Sequence, residues 1–381
     1  MTAVVKTAQN EDRKALEKIW TYCFSDSEKF RTWYFDEYWQ PENTLIVSAD
    51  GLPAASLQLI PTTIVANGRI VNAAYIVGVD CLPQYRGRGY TRALMEAAMG
   101  EEAARRGLEL LTLMPFEADF YLPYGFAFGT YHYDFDIDIN EFYRADDRAI
   151  AQTFSWETVT AKNLSEKMAL MEMLQAKWSQ QFNGSVVRSE RQWKAFVKDV
   201  WLEDGHVLII YDAGREARGY LAYSMSDGCL RIKEMVCADE DARACAYYFV
   251  AGHRSQVKRV EWSAPEGEWL AWHRRVDQKG VSVRPFMMYR LLRSDAAAAF
   301  AARLPEKDLY FICEKRCWCW LKDSRDILPV EVQEKSAFIG SLSIKEFNRI
   351  VFDRGEEPRK ELRRLKALFE PAVRLNNNEY F

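Results

Sequence analysis

The sequence predicts an α/β (α+β) chain: two units built on one plan of strands and helices, followed by a smaller third domain. Three observations predict it. Residues 1–145 and 146–285 run through the same order of elements, a helix, a strand meander closed by tight turns, a second helix and a further strand. In the first unit, the turn between strand and helix is basic and punctuated by glycine, Gln84-Tyr85-Arg86-Gly87-Arg88-Gly89-Tyr90, where the second unit has Cys237-Ala238-Asp239-Glu240-Asp241. Over residues 286–381 the pattern changes, and the chain finishes on two aromatic residues, Tyr380-Phe381.

Glu11–Phe24 reads as an amphipathic helix. Thr44–Ala49 and Ala54–Thr63 read as strands joined at Asp50-Gly51, and Asn67-Gly68 turns the chain back into Ile70–Val77, because such pairs supply the positive φ of tight hairpins. Ala73–Leu82 is an apolar strand leading into the basic turn. Thr91–Arg106 reads as a helix, with Ala93, Leu94, Ala97 and Ala104 on its apolar side, Glu101–Arg105 and Glu102–Arg106 as i,i+4 pairs, and Gly107 just past its end. Leu108–Pro115 is the next buried strand. Tyr131, Tyr133, Phe135 and Ile137 then alternate with His132, Asp134, Asp136 and Asp138, a period-two strand with a polar, acidic outer face that closes the first unit. In the second unit Leu164–Phe182 is helical. His206–Tyr211, Ala217–Met225 and Leu230–Val236 form a meander, Ala242–His253 a helix and Val257–Ala264 a strand. In the third domain Ala296–Leu304, Ile344–Phe352 and Lys360–Phe369 read as helices, and Leu309–Cys313 and Arg316–Lys322 as strands.

With 381 residues, 49% of them hydrophobic, the chain can build more than one core. Its net charge of −4 gives no nucleic-acid footprint. Met1–Trp20 has charges at Lys6, Glu11, Asp12, Arg13 and Lys14 and no long apolar run, so no signal peptide is expected. No run approaches the roughly 18 apolar residues that span a bilayer. No membrane partner is therefore expected, and the expected location is cytoplasmic. The eight cysteines are expected as free thiols. Cys313-x-x-x-Cys317-x-Cys319 invites a metal reading, but Cys317–Leu321 looks like a buried strand and no second Cys or His pair lies nearby, so no metal site is expected.

An apolar strand, a loop of free N–H groups and a helix N-terminus together make an anion site, and Arg86, Arg88 and Arg92 add positive charge. A phosphate-bearing cofactor follows. The loop has neither the Lys of a P-loop nor the third glycine of a dinucleotide fingerprint. What remains, Gln84-x-x-Gly87-x-Gly89, resembles the pyrophosphate loop of the GCN5-related N-acetyltransferases (GNAT), which bind acetyl-CoA. The resemblance implies that the preceding strand splays from its neighbour and that Val79 and Cys81 pair with the pantetheine arm. It also puts Gln84, Arg86, Gly87, Arg88, Gly89 and Tyr90 around the cofactor, with Pro115 and Phe116 from the next strand. The three carboxylates of Asp239-Glu240-Asp241 would repel a pyrophosphate, so the second unit reads as a degenerate copy.

Two such domains and a third with an ordered C-terminus resemble the Eis (enhanced intracellular survival) family, over nearly the whole chain. Arg284-Pro285-Phe286-Met287-Met288, opening the third domain, and the aromatic C-terminus carry that resemblance with the loop. It implies a sterol-carrier-protein-like (SCP2-like) third domain, a homo-hexamer, a tyrosine as acid and the C-terminal carboxylate as base. Tyr121 matches the tyrosine, with Tyr124 as its competitor, and Phe381 supplies the carboxylate. The oxyanion donor is expected to be a backbone N–H near Val79. Asp26 and Trp33 fall in the early helical region that flanks the acceptor channel, Glu379 sits beside the terminal carboxylate, and Asp80, between Val79 and Cys81, departs from better-known members. The implied activity is transfer of the acetyl group of acetyl-CoA to a small-molecule amine, polyamine-like or aminoglycoside-like. Transfer to a protein lysine or peptide amine, and a non-enzymatic regulatory protein that binds CoA, remain as alternatives.

Overall fold

A long hairpin organises the first sheet. Strands β3 (Leu52–Ala66) and β4 (Arg69–Cys81) pair antiparallel along almost their full length. They are joined at Asn67-Gly68, where both residues have positive φ, as a tight hairpin turn requires. The computed structural model describes residues 3–265, 280–331, 338–353, 357, 359–369 and 375–376. On the outer edge of β3, its first half takes β2 (Thr44–Ala49), which pairs in turn with β1 (Val5–Thr7), and its second half takes β9 (Gly184–Val187). On the other side β5 (Leu110–Leu113) runs parallel to β4, followed by β15 (Met288–Leu291) and β6 (Ala127–Phe128), both antiparallel.

The second sheet repeats this order. Its strands are β14 (Val281–Pro285), β7 (Tyr131–Asp138), β13 (Arg259–Pro265), β12 (Cys229–Cys237), β11 (Ala217–Ser226), β10 (His206–Tyr211) and β8 (Ser155–Thr158), with β12 and β13 as the parallel step. A third, four-stranded sheet joins β18 (Ile327–Pro329), β17 (Arg316–Trp320), β16 (Leu309–Cys313) and β19 (Phe338–Leu342). The chain divides into two compact units. One holds residues up to Thr130, Phe182–Val187 and the described residues from Phe286 on. The other holds Tyr131–Gln181 and the described residues from Arg188 to Pro285.

Two strands lie in the other sheet from the one the sequence suggested. β7, expected to close the first unit, pairs with β13 in the second sheet, Val260 opposite Ile137. β15, expected to open the third domain, lies between β5 and β6 in the first. Alternation tells which face of a strand is buried, not which sheet receives it. The charges on β7 find partners there: Asp136 accepts from Nε and one terminal nitrogen of Arg259, each at 2.7 Å, and Asp134 pairs with Arg284 on β14. His132, expected on the polar face of β7, is buried at 1% exposure, and burial pushes its imidazole down to about 3.

The helix after the basic turn breaks at Gly100 into α3 (Tyr90–Met99) and α4 (Glu101–Arg106), with Gly107 capping the second at positive φ. In α3 Leu94, Met95 and Ala98 are buried, with the expected Ala93 and Ala97 half-buried beside them, and in α4 Ala103 packs inward where Ala104 had been expected. Arg105 and Arg106 both pair with Glu102, at 2.6 and 3.0 Å. A helix at Glu190–Leu202 went unread, although Ser189 and Gln192 form its capping box. Ser294–Phe300 is a 3₁₀ segment in place of the α-helix expected at Ala296–Leu304.

Candidate active site

The site grows from a defect in the β3–β4 ladder. Ser56 faces Asp80 and Gln58 faces Val77, so Gly78 and Val79 together stand opposite Leu57. Gly78 has φ +60, and a Cβ there would come within 2.6 Å of the Trp20 ring of α1 (Arg13–Cys23). Glycine is therefore needed twice, for the bulge and for the close approach of Trp20. On its other edge β4 pairs with β5 only over Ala73–Tyr75. From Ile76 to Cys81 the two parallel strands part, as the resemblance implied, and a slot opens between them.

The basic turn closes the end of that slot. Arg86 Nε donates to the Cys81 carbonyl at 3.2 Å, folding the loop back onto the strand. Gly87 and Gly89 have φ of +76 and +80, and a Cβ on either would meet nothing within 4 Å, so the backbone is open to a ligand. Gly89 caps α3 without a side-chain acceptor, and the first intrahelical bond is from Ala93 N–H to the Gly89 carbonyl at 3.0 Å. The N–H groups of Tyr90, Thr91 and Arg92 therefore lack intrahelical acceptors and stand at the positive end of the helix dipole. Arg88 stacks over the Tyr85 ring at 5.1 Å. The Tyr85 hydroxyl donates to Asp50 Oδ2 at 2.9 Å. Free amides, arginines and a slot lined by strand edge form a donor set suited to a diphosphate with an extended, amide-bearing arm.

The second sheet has the same slot without the anion site. β12 parallels β13 only over Cys229–Ile232, and the β11–β12 register slips at Lys233. There Asp239 caps the following helix, Glu240–Ala251, by accepting from Ala242 N–H at 2.9 Å, and it also pairs with Arg218. The chain's own carboxylate fills the helix terminus that Gly89 leaves open.

A cavity of about 480 Å³ gathers Val79, Asp80, Cys81, Arg86, Gly87, Gly89, Tyr90, Phe116 and Tyr121. Cys23 and Phe24 from the end of α1, with Glu117 and Phe120, complete its wall. These four went unread because no spacing links the first helix to residue 80, although Phe120 is part of an aromatic run. Gln84 and Arg88 are exposed on the loop and do not line the cavity, and neither does Pro115. Asp26 accepts the Trp20 Nε1 proton at 2.8 Å, and Trp33 is buried against Phe30 and Tyr38 within α2 (Glu28–Glu37) and the residue after it. Neither lines the cavity. Glu379 and Phe381 lie outside the described residues.

Tyr121 is buried against Phe120 and Phe126, and burial pushes its phenol up to about 12. Tyr124 sits beside Arg92 and does not line the cavity. Asp80 is buried too. Its Oδ1 accepts from Ser56 N–H at 2.7 Å and from Ser56 Oγ at 2.8 Å, and burial pushes its carboxyl up to about 7 against the pull of those two bonds. Among the described residues, no helix is long and apolar enough to cross a membrane.

Residues 4–129 match the family model of a GNAT acetyltransferase domain, and residues 184–291 match a second GNAT acetyltransferase model. A sequence search of curated proteins finds no match. Among solved structures, a GCN5-related N-acetyltransferase from Kribbella flavida superposes with a TM-score of 0.78 at 19% identity, covering 100% of this chain and 98% of its own. One from Anabaena variabilis ATCC 29413 reaches 0.77 at 18% identity, covering 99% and 98%. Eis1 from Mycobacterium abscessus reaches 0.72 at 14% identity, covering both chains fully. Such identities speak for the fold, and the two matched domains speak for the family: the chain is a GNAT acyltransferase, Eis-like in its fold.

Proposed function

We propose that this protein is an N-acetyltransferase that moves the acetyl group of acetyl-CoA directly to a small-molecule amine. The observation that carries the reading is the parting of β4 from β5 over an uncapped helix N-terminus, with Tyr121 in the wall of the same cavity. Bound acetyl-CoA supplies an activated acetyl thioester. The backbone edge of Val79 and Cys81 holds the pantetheine arm, the amides from Gly87 to Thr91 hold the diphosphate, and the Val79 N–H, at the bulge, is the donor assigned to the thioester oxygen. Tyr121, protonated at any physiological pH, donates to the departing sulfur. Phe381 supplies a terminal carboxylate at the acceptor side, and Asp26, Trp33, Asp80 and Glu379 are the acceptor-side residues of this reading. Polyamine-like and aminoglycoside-like amines suit its acidic and aromatic character.

Several finer features belong to the same reading. The second GNAT domain is degenerate and holds no CoA, because Asp239 occupies its helix terminus. The domains run 1–145, 146–285 and 286–381 by sequence pattern, the last SCP2-like, and the chain works in the cytoplasm as a homo-hexamer, as its Eis resemblance implies. The test is calorimetry with acetyl-CoA, followed by release of free CoA with spermidine, tobramycin, and a lysine peptide. Uptake with turnover of the small amines supports the reading. Turnover of the peptide alone moves the acceptor to protein lysines, uptake without turnover leaves a CoA-binding regulator, and no uptake overturns it. Removing Phe381 shifts the terminal carboxylate by one residue, and is expected to leave acetyl-CoA affinity within about twofold while cutting turnover by about 100-fold, the scale of a displaced proton-transfer or orienting group at the acceptor side. Unchanged turnover would take the carboxylate out of the mechanism.

A further inference from the structure

We propose that Asp80 accepts the proton from the acceptor's ammonium group, a catalytic role that rests on the acetyltransferase reading above. A buried carboxylate without a cation is uncommon, because ionisation in an apolar site is opposed unless a partner offsets it. Asp80 is 4% exposed and forms no ion pair among the described residues. Both of its hydrogen bonds arrive at one oxygen, Oδ1, and both come from Ser56. Oδ2 receives none from the described residues, yet the side chain lines the cavity that also holds Tyr121 and the phosphate loop. Ser56 fixes the carboxylate, which lies one residue from Val79, the bulge residue whose amide the acetyltransferase reading assigns to the thioester. The arrangement leaves one oriented oxygen for a donor that arrives with the substrate.

The groups around it leave that role open. From α1 comes the Cys23 thiol, pushed up by burial and by Asp80 itself. From β3 comes Ser56, and on its own strand Cys81, likewise pushed up by burial and by Asp80. From the loop comes Arg86, spent on the Cys81 carbonyl, and from the far wall come Glu117 and Tyr121. Among the described residues no cation is committed to Asp80, which leaves the place to a substrate ammonium. In the transfer, Asp80 takes one proton from R–NH3⁺ and later releases it to water. The freed lone pair forms the C–N bond to the acetyl carbon, and the C–S bond breaks with its electrons on sulfur. Tyr121 gives sulfur a proton and recovers one from the nitrogen. The products are the amide, CoA thiol and one proton.

The experiment compares wild type with Asp80→Asn, which keeps an oxygen for Ser56 but cannot take up the proton. Release of free CoA from acetyl-CoA is followed from pH 5 to 9 with the fastest of spermidine, tobramycin and 2-phenylethylamine, alongside acetyl-CoA calorimetry. Wild-type kcat is expected to rise through about pH 7, where Asp80 ionises. Asp80→Asn is expected to bind acetyl-CoA within about twofold, to lose kcat about 100-fold or more, and to lose that rising limb. Should the Asn variant fail to fold, Ser56→Ala removes one bond to the charged form and is expected to shift the limb to higher pH. An Asn variant that keeps the rate and the limb, or a limb that Ser56→Ala leaves in place, overturns the assignment alone. A wild type that binds acetyl-CoA but acetylates none of the amines overturns it together with the acetyltransferase reading.

Discussion

At the residue scale, the electrostatics of the site are set by burial more than by pairing. The Asp80 carboxyl ionises near 3.8 when unfolded and about 7 when folded. Between those values the folded chain keeps a proton that the unfolded chain has lost. Stability therefore falls as pH rises through that window, and the full deficit is present above 7, on the order of 4 kcal/mol for three pH units. Asp80→Asn is expected to raise the melting temperature, and to raise it more at pH 8 than at pH 4. An equal rise at both would show that the carboxyl titrates normally in the fold. Tyr121 makes a second case. Tyr121→Phe keeps the buried ring and removes only the hydroxyl, so the fold should hold while turnover drops by about 100-fold, the usual scale for a lost general acid. Thiol-release rates beside a thermal melt check both halves. Tyr121 could be singled out only through the resemblance, by its position after the second cofactor strand. Cys23 and Phe24 could not, because their place beside Asp80 depends on how α1 packs over β4.

At the element scale, two glycines that look alike in the sequence do different work. Gly87 has positive φ and nothing around the Cβ it lacks. Gly87→Ala should lose only about 1–2 kcal/mol, the strain of a left-handed residue, yet weaken acetyl-CoA binding because the added methyl group stands where the ligand approaches. Gly78 has positive φ and the Trp20 ring at 2.6 Å. Gly78→Ala combines that strain with overpacking and is expected to lose about 3 kcal/mol or more. Urea unfolding with acetyl-CoA calorimetry separates them; a Gly78→Ala chain as stable as Gly87→Ala would mean that Trp20 yields freely. The loop could be read from sequence because its φ requirement and its charges are local. The bulge went unread although Gly78, a lone glycine inside a strand pattern, marks a candidate position, because the slip itself is set against Leu57 of β3, outside that window. The break at Gly100, which divides the helix after the loop into α3 and α4, was likewise not legible.

At the scale of the whole molecule, the sheets are not consecutive segments. β15 comes from the far end of the segment matched to the second GNAT model, yet it sits between β5 and β6 of the first sheet, with Met288, Tyr289 and Leu291 buried. A chain cut after Pro285 would keep both matched loops but lose an inner strand of the first sheet, leaving β5 with an open apolar edge. Such a fragment is expected to be insoluble, or to lack the cooperative melt of the full chain. A soluble fragment that binds acetyl-CoA normally would show that β15 is dispensable. Calorimetry on the full chain is expected to give one acetyl-CoA per chain, and two would mean that the Asp239 cap is displaced.

The sequence by itself determined the local chemistry: the glycine-punctuated basic turn, the helix after it, the acidic cap that replaces it in the second domain, the hairpin turns and the alternation of β7. Each depends on φ requirements, charge and periodicity within a few residues. The tertiary structure alone decided which sheet β7 and β15 join, where β4 leaves its ladder, and that Asp80 is buried facing Ser56, with no ion-pair partner among the described residues. Those outcomes depend on register and packing between segments far apart in the chain, and no short window of sequence contains both partners.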